Sequence, residues 1–389
     1  MKKKIAIITH NYGLDNYGQI LQCYALQRFL RDNYAEFDIK VLNPNDFYEH
    51  YFSVKPLYAQ IKNAERVVRT YFYAYIMRRE KYIQKLKEKV AKKGKALLTA
   101  KLNAQRDFEG FKKAHIAFFD DLQEFLSADC YIVGSDQIWN DLGQLKLENF
   151  TNGKHRLDLY FLKFLPTQSK ARKISYAASL GKKDLENDFV KWYFKEALAK
   201  FDAISVREAC NETTLSELGL KSLCVPDPSQ ILSKKDYEKL IDLGIKEGKI
   251  DPTKSGGKVR KNSVFAYILG NQTCINKDEV MEFLAQNVIY TNGNVDFSCA
   301  WDYKCDFAPT LQEWLACVKE CKLVVTNSFH GCAFAVVMNT PFVALKLGGN
   351  DEPMNTRFEQ LFEIFGLQDR LVSNLNELKA VLEKPIDWN

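Results

Sequence analysis

The chain has 389 residues, 46% of them hydrophobic and 13% aromatic, with 55 Lys/Arg against 49 Asp/Glu for a net charge of +6. That composition excludes a disordered chain and suffices to bury a core in each of two domains. No apolar run approaches the roughly 20 residues that span a bilayer. The run after the basic start ends at Ile5–Ile8, far short of a secretory core, so a cytoplasmic protein is expected. The ten cysteines include no Cys-x-x-Cys pair. Cys317 and Cys321 lie one helical turn apart, and Cys23, Cys210 and Cys332 sit among apolar neighbours as small core residues. Five scattered histidines show no zinc-ligand spacing, so no metal is expected.

In chain order, Ile5–Thr9 reads as a first strand, HNYGLDNYG follows, and an amphipathic helix covers Gln19–Arg31 with Leu21, Ala25, Leu26, Phe29 and Leu30 on one face. Phe37–Leu42 returns as a strand. The intervening loop, rich in Gly and Asn, suits an anion cradle or an ordinary tight turn. It is neither GxGxxG nor a P-loop, since Gln-Ile follows Gly18. Lys62–Lys113 differs in kind: sixteen Lys/Arg against five Asp/Glu give it +11, leaving about −5 for everything else. Ala64, Val67, Tyr71 and Tyr75, then Tyr82, Leu86 and Val90, keep a helical stripe, so a basic helical insertion broken near Gly94 is expected. Its basic side is either a solvated face or a peripheral contact with an anionic membrane. Without a helix-turn-helix, RRM or zinc pattern, nucleic acid is not expected.

Asp129–Val133 is the next strand, ending in GSDQIWN. Asp136 suits a base or an acceptor for sugar hydroxyls, and Trp139 a stacking platform; the alternative is a helix cap and a core tryptophan. Strand Lys173–Ala177 follows, then Phe201–Ser205 leading to Val206-Arg207-Glu208, and Ser222–Val225 leading to Pro226-Asp227-Pro228. Arg207, just past a strand end, can clamp a phosphate or carboxylate, or pair structurally with Glu208 or Asp227. A polar stretch with Asp251-Pro252 and Gly256-Gly257 suits a helix and linker over 236–262. A second α/β unit runs through strand Ser263–Leu269, helix Lys277–Gln286 and strand Asn287–Tyr290. Trp301 and Tyr303 follow in an irregular loop, as a sugar-stacking pair or a hydrophobic plug.

Lys322–Lys346 carries the sharpest signal. Leu323–Val325 reads as a buried strand, Thr326, Asn327 and Ser328 are good helix caps, Cys332–Met338 is an apolar helix, and Phe342–Leu345 is the next strand after Pro341. His330 thus stands at a helix N-terminus beyond a strand's carboxyl end, where anions are favoured. It can hold a phosphate or pass a proton, or serve only as a cap. Gly348–Arg357 reads as a polar loop before a closing helix. Two α/β units in series, each with polar clusters at strand ends, predict two Rossmann-like domains facing across a cleft, in the glycosyltransferase-B manner. The boundaries are 1–235, with the basic insertion at 62–113, a linker over 236–262, and 263–389.

These residues resemble the polysaccharide pyruvyltransferase family. Its C-terminal signature, strand, Thr-x-Arg-x-His-Gly, apolar helix, Pro and strand, is matched by Thr326, Ser328, Phe329, His330, Gly331 and Pro341. The opening NYGQILQCYALQ, GSDQIWN, SVRE and PDPS are similar to further family segments, and the likeness lapses over 62–113. Ser328 stands where many members carry Arg, and Arg357 is the candidate for the displaced cation. The resemblance implies a phosphoenolpyruvate donor, no organic cofactor, and a sugar acceptor (galactose-type, as a 4,6-ketal) in a surface or capsular polysaccharide precursor, with undecaprenyl diphosphate as a carrier. It implies His330, Asp136 and Asp15 in catalysis and Arg207, Ser328, Phe329, Gly331 and Arg357 at the donor. Asn16, Gln137, Trp139 and Trp301 are expected at the acceptor. A nucleotide-sugar glycosyltransferase is the alternative, but only Asp351 and Glu352 follow the anion-binding helix as ribose-binding carboxylates. A non-catalytic membrane-associated binding protein built on the basic helices is the third reading.

Overall fold

The computed structural model describes residues 2–11, 16–51, 105–140, 154–185, 187–250, 263–270, 272–286, 295–297 and 308–388. In the N-terminal unit β1 (Lys4–Ile8), α1 (Tyr17–Asn33) and β2 (Asp38–Val41) form the first βαβ turn. After α2 (Pro44–Tyr51), α3 (Phe108–His115) and α4 (Leu122–Leu126), β3 (Cys130–Val133) pairs with the other edge of β1. β4 (Arg172–Ser175) completes the order β2-β1-β3-β4, all parallel. α5 (Asp188–Leu198), β5 (Ser205–Val206), α6 (Ala209–Glu217) and β6 (Leu223–Cys224) follow. β5 and β6 pair in parallel, and bridges from Ile174 to Ala203 and from Ala178 to Val206 join them to the sheet beside β4.

α7 (Lys234–Lys246) leads to the C-terminal unit: β7 (Val264–Tyr267), α8 (Lys277–Gln286), β8 (Val295–Phe297), α9 (Leu311–Glu320), β9 (Leu323–Thr326), α10 (Phe329–Met338), β10 (Phe342–Leu345), α11 (Thr356–Phe365), β11 (Leu371–Val372) and α12 (Leu375–Leu382). Its sheet is also parallel, in the order β11-β10-β9-β7-β8. β7, β9 and β10 are buried at every residue, as apolar parallel strands covered on both faces should be. The expected strand at 287–290 lies outside the described residues; Val295–Phe297 pairs with β7. α7 begins the stretch read as a linker, yet it docks on the C-terminal unit. Its Tyr237 ring packs edge-on to Phe334 at 5.1 Å, and Leu240 and Ile241 are buried.

One hydrophobic core runs through both units, from Ile7, Leu21 and Leu26 to Trp314, Phe334 and Phe342. At its centre Tyr17 stacks on Trp314 (5.3 Å, 12°), meets Tyr267 edge-on at 5.8 Å, and donates its hydroxyl to Pro309 O at 2.6 Å. Aromatic pairs of this kind contribute about 0.5–1.5 kcal/mol each beyond area burial, so the start of α1 is fixed against the opposite unit. Residues 62–104 of the expected basic insertion lie outside the described residues. In its final part the apolar side packs on the domain: Phe108 and Phe111 are core residues, and Arg106 is buried over the Tyr17 and Phe108 rings. Among the described residues no helix is long and apolar enough to cross a membrane.

Candidate active site

The loops that leave the strands' carboxyl ends converge on one buried polar chain. Gln22 donates to Thr9 Oγ1 at 2.9 Å, and its Oε1 lies 2.9 Å from Ser135 Oγ, which is 3.2 Å from Asp227 Oδ2. Arg207 donates from Nη1 to Asp227 Oδ2 (3.0 Å) and from Nε to Glu208 Oε1 (2.9 Å), which also accepts from Ser179 Oγ at 2.9 Å. Thr9 follows β1, Ser135 follows β3, Ser179 lies beyond β4, Arg207 and Glu208 follow β5, and Asp227 lies beyond β6. A topology that delivers five loops to one place makes such a network available. Gly134 carries φ 117°, and a Cβ there would collide with the Tyr176 carbonyl, so only glycine admits this turn.

Asp227 is fully buried, and its Oδ1 accepts from Ser229 N (2.9 Å) and Ser229 Oγ (2.7 Å). Burial alone would raise this carboxyl. The His330 contact, the Arg207 charge and the Ser229 hydrogen bond outweigh it and hold Asp227 well below the usual carboxylate range. Burial likewise opposes the Arg207 charge, but Glu208, Asp227 and Asp136 overcome it and keep the guanidinium firmly cationic. The structural pairing considered for Arg207 is therefore realised with both carboxylates at once. Its Nη2 keeps no hydrogen-bond partner, and Phe329 covers the guanidinium at 4.3 Å.

His330 reaches this network from the other unit, with Nε2 3.7 Å from Asp227 Oδ1, beyond hydrogen-bond distance, and without another partner. Its ring lies against the start of α1. A Cβ on Gly18 would sit 2.5 Å from His330 Cβ and closer still to Cγ and Nδ1. The helix start beneath is capped from within: Ser328 Oγ accepts from Gly331 N at 3.3 Å, and Ser328 N donates to Thr326 Oγ1 at 3.0 Å. A Cβ on Gly331 would meet Thr326 Oγ1 at 2.6 Å. Ser328 and Gly331 thus build the cap, while Arg207, Phe329 and Arg357 line a pocket of about 300 Å³ between the two units. Arg357 lies in the first turn of α11, past a turn pinned by Asn355, whose amide brackets Leu347 N and O at 2.9 Å each. Its Nε donates to Met354 O at 3.1 Å. Burial and the neighbouring Arg207 push the Arg357 guanidinium down to about 10, still charged at neutral pH.

Asp136, with φ 64°, lies beside His10 at the edge of a second recess. His10 Nδ1 stands 3.7 Å from Asp136 Oδ2 and edge-on to Tyr160 at 5.3 Å. Burial would raise the Asp136 carboxyl, but His10, His330 and Arg207 hold it well below the usual range. This recess, about 230 Å³, is lined by His10, Gln137, Asn140, Arg156 and Tyr160. Gln137 Nε2 reaches Met354 Sδ at 3.7 Å across the two units, and Asn140 Nδ2 donates to Gln137 Oε1 at 3.2 Å.

Trp139 corrects the expectation of a stacking platform. It is fully buried, parallel to Phe161 at 5.7 Å, with Nε1 on Tyr160 O at 3.3 Å, and offers no face to a sugar. Asn16 is the cap of α1, accepting from Gln19 N at 2.9 Å. Asp15 and Trp301 lie outside the described residues. Sequence reasoning missed Asp227 as the hub, His10 as the neighbour of Asp136, and Gly18 as the bed for His330. The available signal was position alone, since His10 and Asp227 each sit two or three residues past a strand. Among the described residues no cluster of His, Cys, Asp and Glu has the makings of a metal site.

Two parallel α/β units that close on an arginine-lined pocket define a two-domain, Rossmann-like protein of glycosyltransferase-B-like architecture. The family described as polysaccharide pyruvyl transferase matches residues 16–348, and the chain belongs to that family. Membership makes it a pyruvyl-transferring enzyme of polysaccharide biosynthesis. Comparison with curated proteins gives no match. Among solved structures it is similar to UDP-GlcNAc 2-epimerase from Methanocaldococcus jannaschii in complex with UDP-GlcNAc and UDP, at 13% identity and a TM-score of 0.44, covering 100% of this chain and 95% of that one. It is also similar to UDP-GlcNAc 2-epimerase from Neisseria meningitidis bound to UDP-GlcNAc, at 10% identity and a TM-score of 0.43, covering 100% and 96%. The fold assignment rests on the two parallel sheets themselves.

Proposed function

We propose that this enzyme transfers the enolpyruvyl group of phosphoenolpyruvate to two hydroxyls of one sugar, forming a cyclic ketal and releasing inorganic phosphate. The acceptor is a galactose-type sugar ketalised at its 4- and 6-hydroxyls, in a surface or capsular polysaccharide precursor carried on a lipid. The observation that most supports this reading is the interdomain pocket that joins Arg207, Arg357 and Phe329 to Asp227, with the unpartnered Nε2 of His330 behind it. A small, multiply charged anion needs fixed cations in a site shielded from water. Arg207 Nη2 and Arg357 supply them.

His330 gives a proton to the methylene carbon, which makes C2 of the donor electrophilic. A sugar oxygen bonds to C2 as its O–H breaks, the C2–O bond to phosphate breaks, and the second hydroxyl closes the ring. Of the two hydroxyl protons released, one replaces that on His330 and one leaves with phosphate. No step is routed through a cofactor.

Thermal unfolding with phosphoenolpyruvate, and separately with a panel of nucleotide sugars, tests the reading. A ligand at about 100 times its Kd stabilises by about 2.7 kcal/mol. The midpoint is expected to rise with phosphoenolpyruvate in the wild type and not in Arg357→Ala. Stabilisation by a nucleotide sugar alone would sink the proposal in favour of a glycosyltransferase.

A further inference from the structure

Two helices start at the interdomain pocket, and only one is capped by its own chain segment. α10 uses Ser328. In α6 the N-cap residue, Glu208, makes no side-chain cap, because its Oε1 is turned to Arg207 and Ser179. Instead Ala209 N, at the first position of α6, donates to Gln360 Oε1 of α11 in the opposite unit at 3.0 Å. Gln360 lies one turn after Arg357, and both line the pocket together with Ala209 and Arg207. A neutral amide oxygen is a weak partner here, since the N-terminus of a nine-residue helix favours a negative charge. A second feature of the same pocket is independent of the helix. The Arg207 side chain is 3% exposed, Nε and Nη1 are taken by Glu208 and Asp227, and Nη2 has no hydrogen-bond partner. A buried, charged donor without an acceptor is costly unless a ligand brings one.

We propose that the start of α6 seats the phosphate of the donor, and that Gln360 Oε1 occupies that place between turnovers and is displaced from Ala209 N by a phosphate oxygen. This rests on the ketal-forming reading above, in which phosphate is both carried in and released. Phosphate suits the place better than the donor's carboxylate does. It presents three terminal oxygens and more charge, against one backbone amide and two guanidinium groups. Glu208 Oε2 is also buried without a partner, and it can accept from a phosphate that carries a proton, which a carboxylate at neutral pH does not. The other acids nearby are engaged: Asp227 with Arg207, and Glu212 with Cys224 N at 3.1 Å. When the C2–O bond breaks, phosphate keeps the bridging oxygen and its electron pair and leaves with one hydroxyl proton. Gln360 Oε1 then returns to Ala209 N.

The test follows the unfolding midpoint of the purified full chain against inorganic phosphate and, separately, pyruvate, at constant ionic strength. Phe358, Leu361 and Phe362 bury α11, so substitutions at Gln360 keep the fold. In Gln360→Ala the anion has no hydrogen bond to displace, so the phosphate concentration giving half the shift is expected to fall about two- to tenfold. In Gln360→Glu a charge-assisted bond closes Ala209 N and the carboxylate repels the anion, so that concentration is expected to rise about tenfold or more. Pyruvate, with a carboxylate and no phosphate, is expected to respond alike in wild type and Gln360→Ala. A higher phosphate requirement in Gln360→Ala would make Gln360 a ligand or a brace for Arg357 and overturn the proposal. An equal phosphate response in all three proteins, no response in any, or a change for pyruvate in place of phosphate would overturn it too. In each of those cases wild-type stabilisation by phosphoenolpyruvate leaves the ketal reading standing, and its absence overturns that reading as well.

Discussion

Gly18→Ala isolates the contact that joins the N-terminal helix to His330. Position 18 is buried in the first turn of α1, where alanine ordinarily improves on glycine by about 0.5–1 kcal/mol. Here the added Cβ would lie 2.5 Å from His330 Cβ and nearer to the ring. Neither side can easily yield. Tyr17, the preceding residue, is stacked on Trp314 and bonded to Pro309 O, while His330 opens a helix of which nearly every residue is buried. Overpacking of this kind costs about 1–3 kcal/mol, so the net expectation is a loss of about 1–2 kcal/mol, against the gain that helix propensity alone predicts. For units of this size that lowers the midpoint by about 2–4 °C per kcal/mol. Pushing the ring moves Nε2 relative to Asp227, so stabilisation by phosphoenolpyruvate should fall as well. Scanning calorimetry with and without phosphoenolpyruvate reads both effects. A midpoint that is unchanged or raised, with donor stabilisation intact, would refute the packing of His330 on α1.

Asp227→Asn should cost about 3 kcal/mol at pH 7, because it breaks a buried ion pair with Arg207. The folded carboxyl lies below its ordinary range, so its contribution is full above that range and is lost as pH falls through it towards the folded value. Urea unfolding should show the gap to wild type narrowing from pH 7 to pH 3, and a constant gap would contradict the account. Ser328→Arg restores the residue common in the family but removes the cap to Gly331 N, worth about 0.5–2 kcal/mol. Lower stability without stronger donor stabilisation is expected, because Arg357 already brings a cation to the pocket. A gain in donor stabilisation would show that Arg357 does not fill that place.

Strand runs and helix caps were legible because both are local. Ser328, among the three residues read as caps, caps the helix that follows, and Leu323–Val325 and Phe342–Leu345 are apolar runs of strand length. The expectation that Arg357 supplies the cation absent at Ser328 rests only on the family pattern. Pairings between distant segments were not legible. Asp227 meets His330 across about a hundred residues, and nothing in the periodicity of either segment names its partner. Trp139 shows the same limit from another side. An indole after a polar cluster reads alike as platform or core, and only the Phe161 and Phe194 rings around it decide. At the end of the basic stretch Phe108 and Phe111 bury one face of a helix whose lysines supply the charge, a packing that a charge count alone does not show.

The charges of the site bear on how donor binding and chemistry are tied together. Among the described residues, Arg207 and Arg357 meet three carboxylates, Asp136, Asp227 and Glu208, at the pocket and just behind it. With both imidazoles neutral that cluster is formally negative, a poor host for phosphoenolpyruvate. A proton on His330 is then needed for charge balance before it is needed for chemistry. Asp227 is the carboxylate nearest Nε2, at 3.7 Å. The Asp136 carboxylate is held ionised by His10, His330 and Arg207, so it stands as a fixed negative charge between the two histidines. A carboxylate that titrated in the neutral range would give up that charge. The buried polar chain from Thr9 to Ser179 is therefore less a binding surface than the frame that keeps these charges apart and ionised.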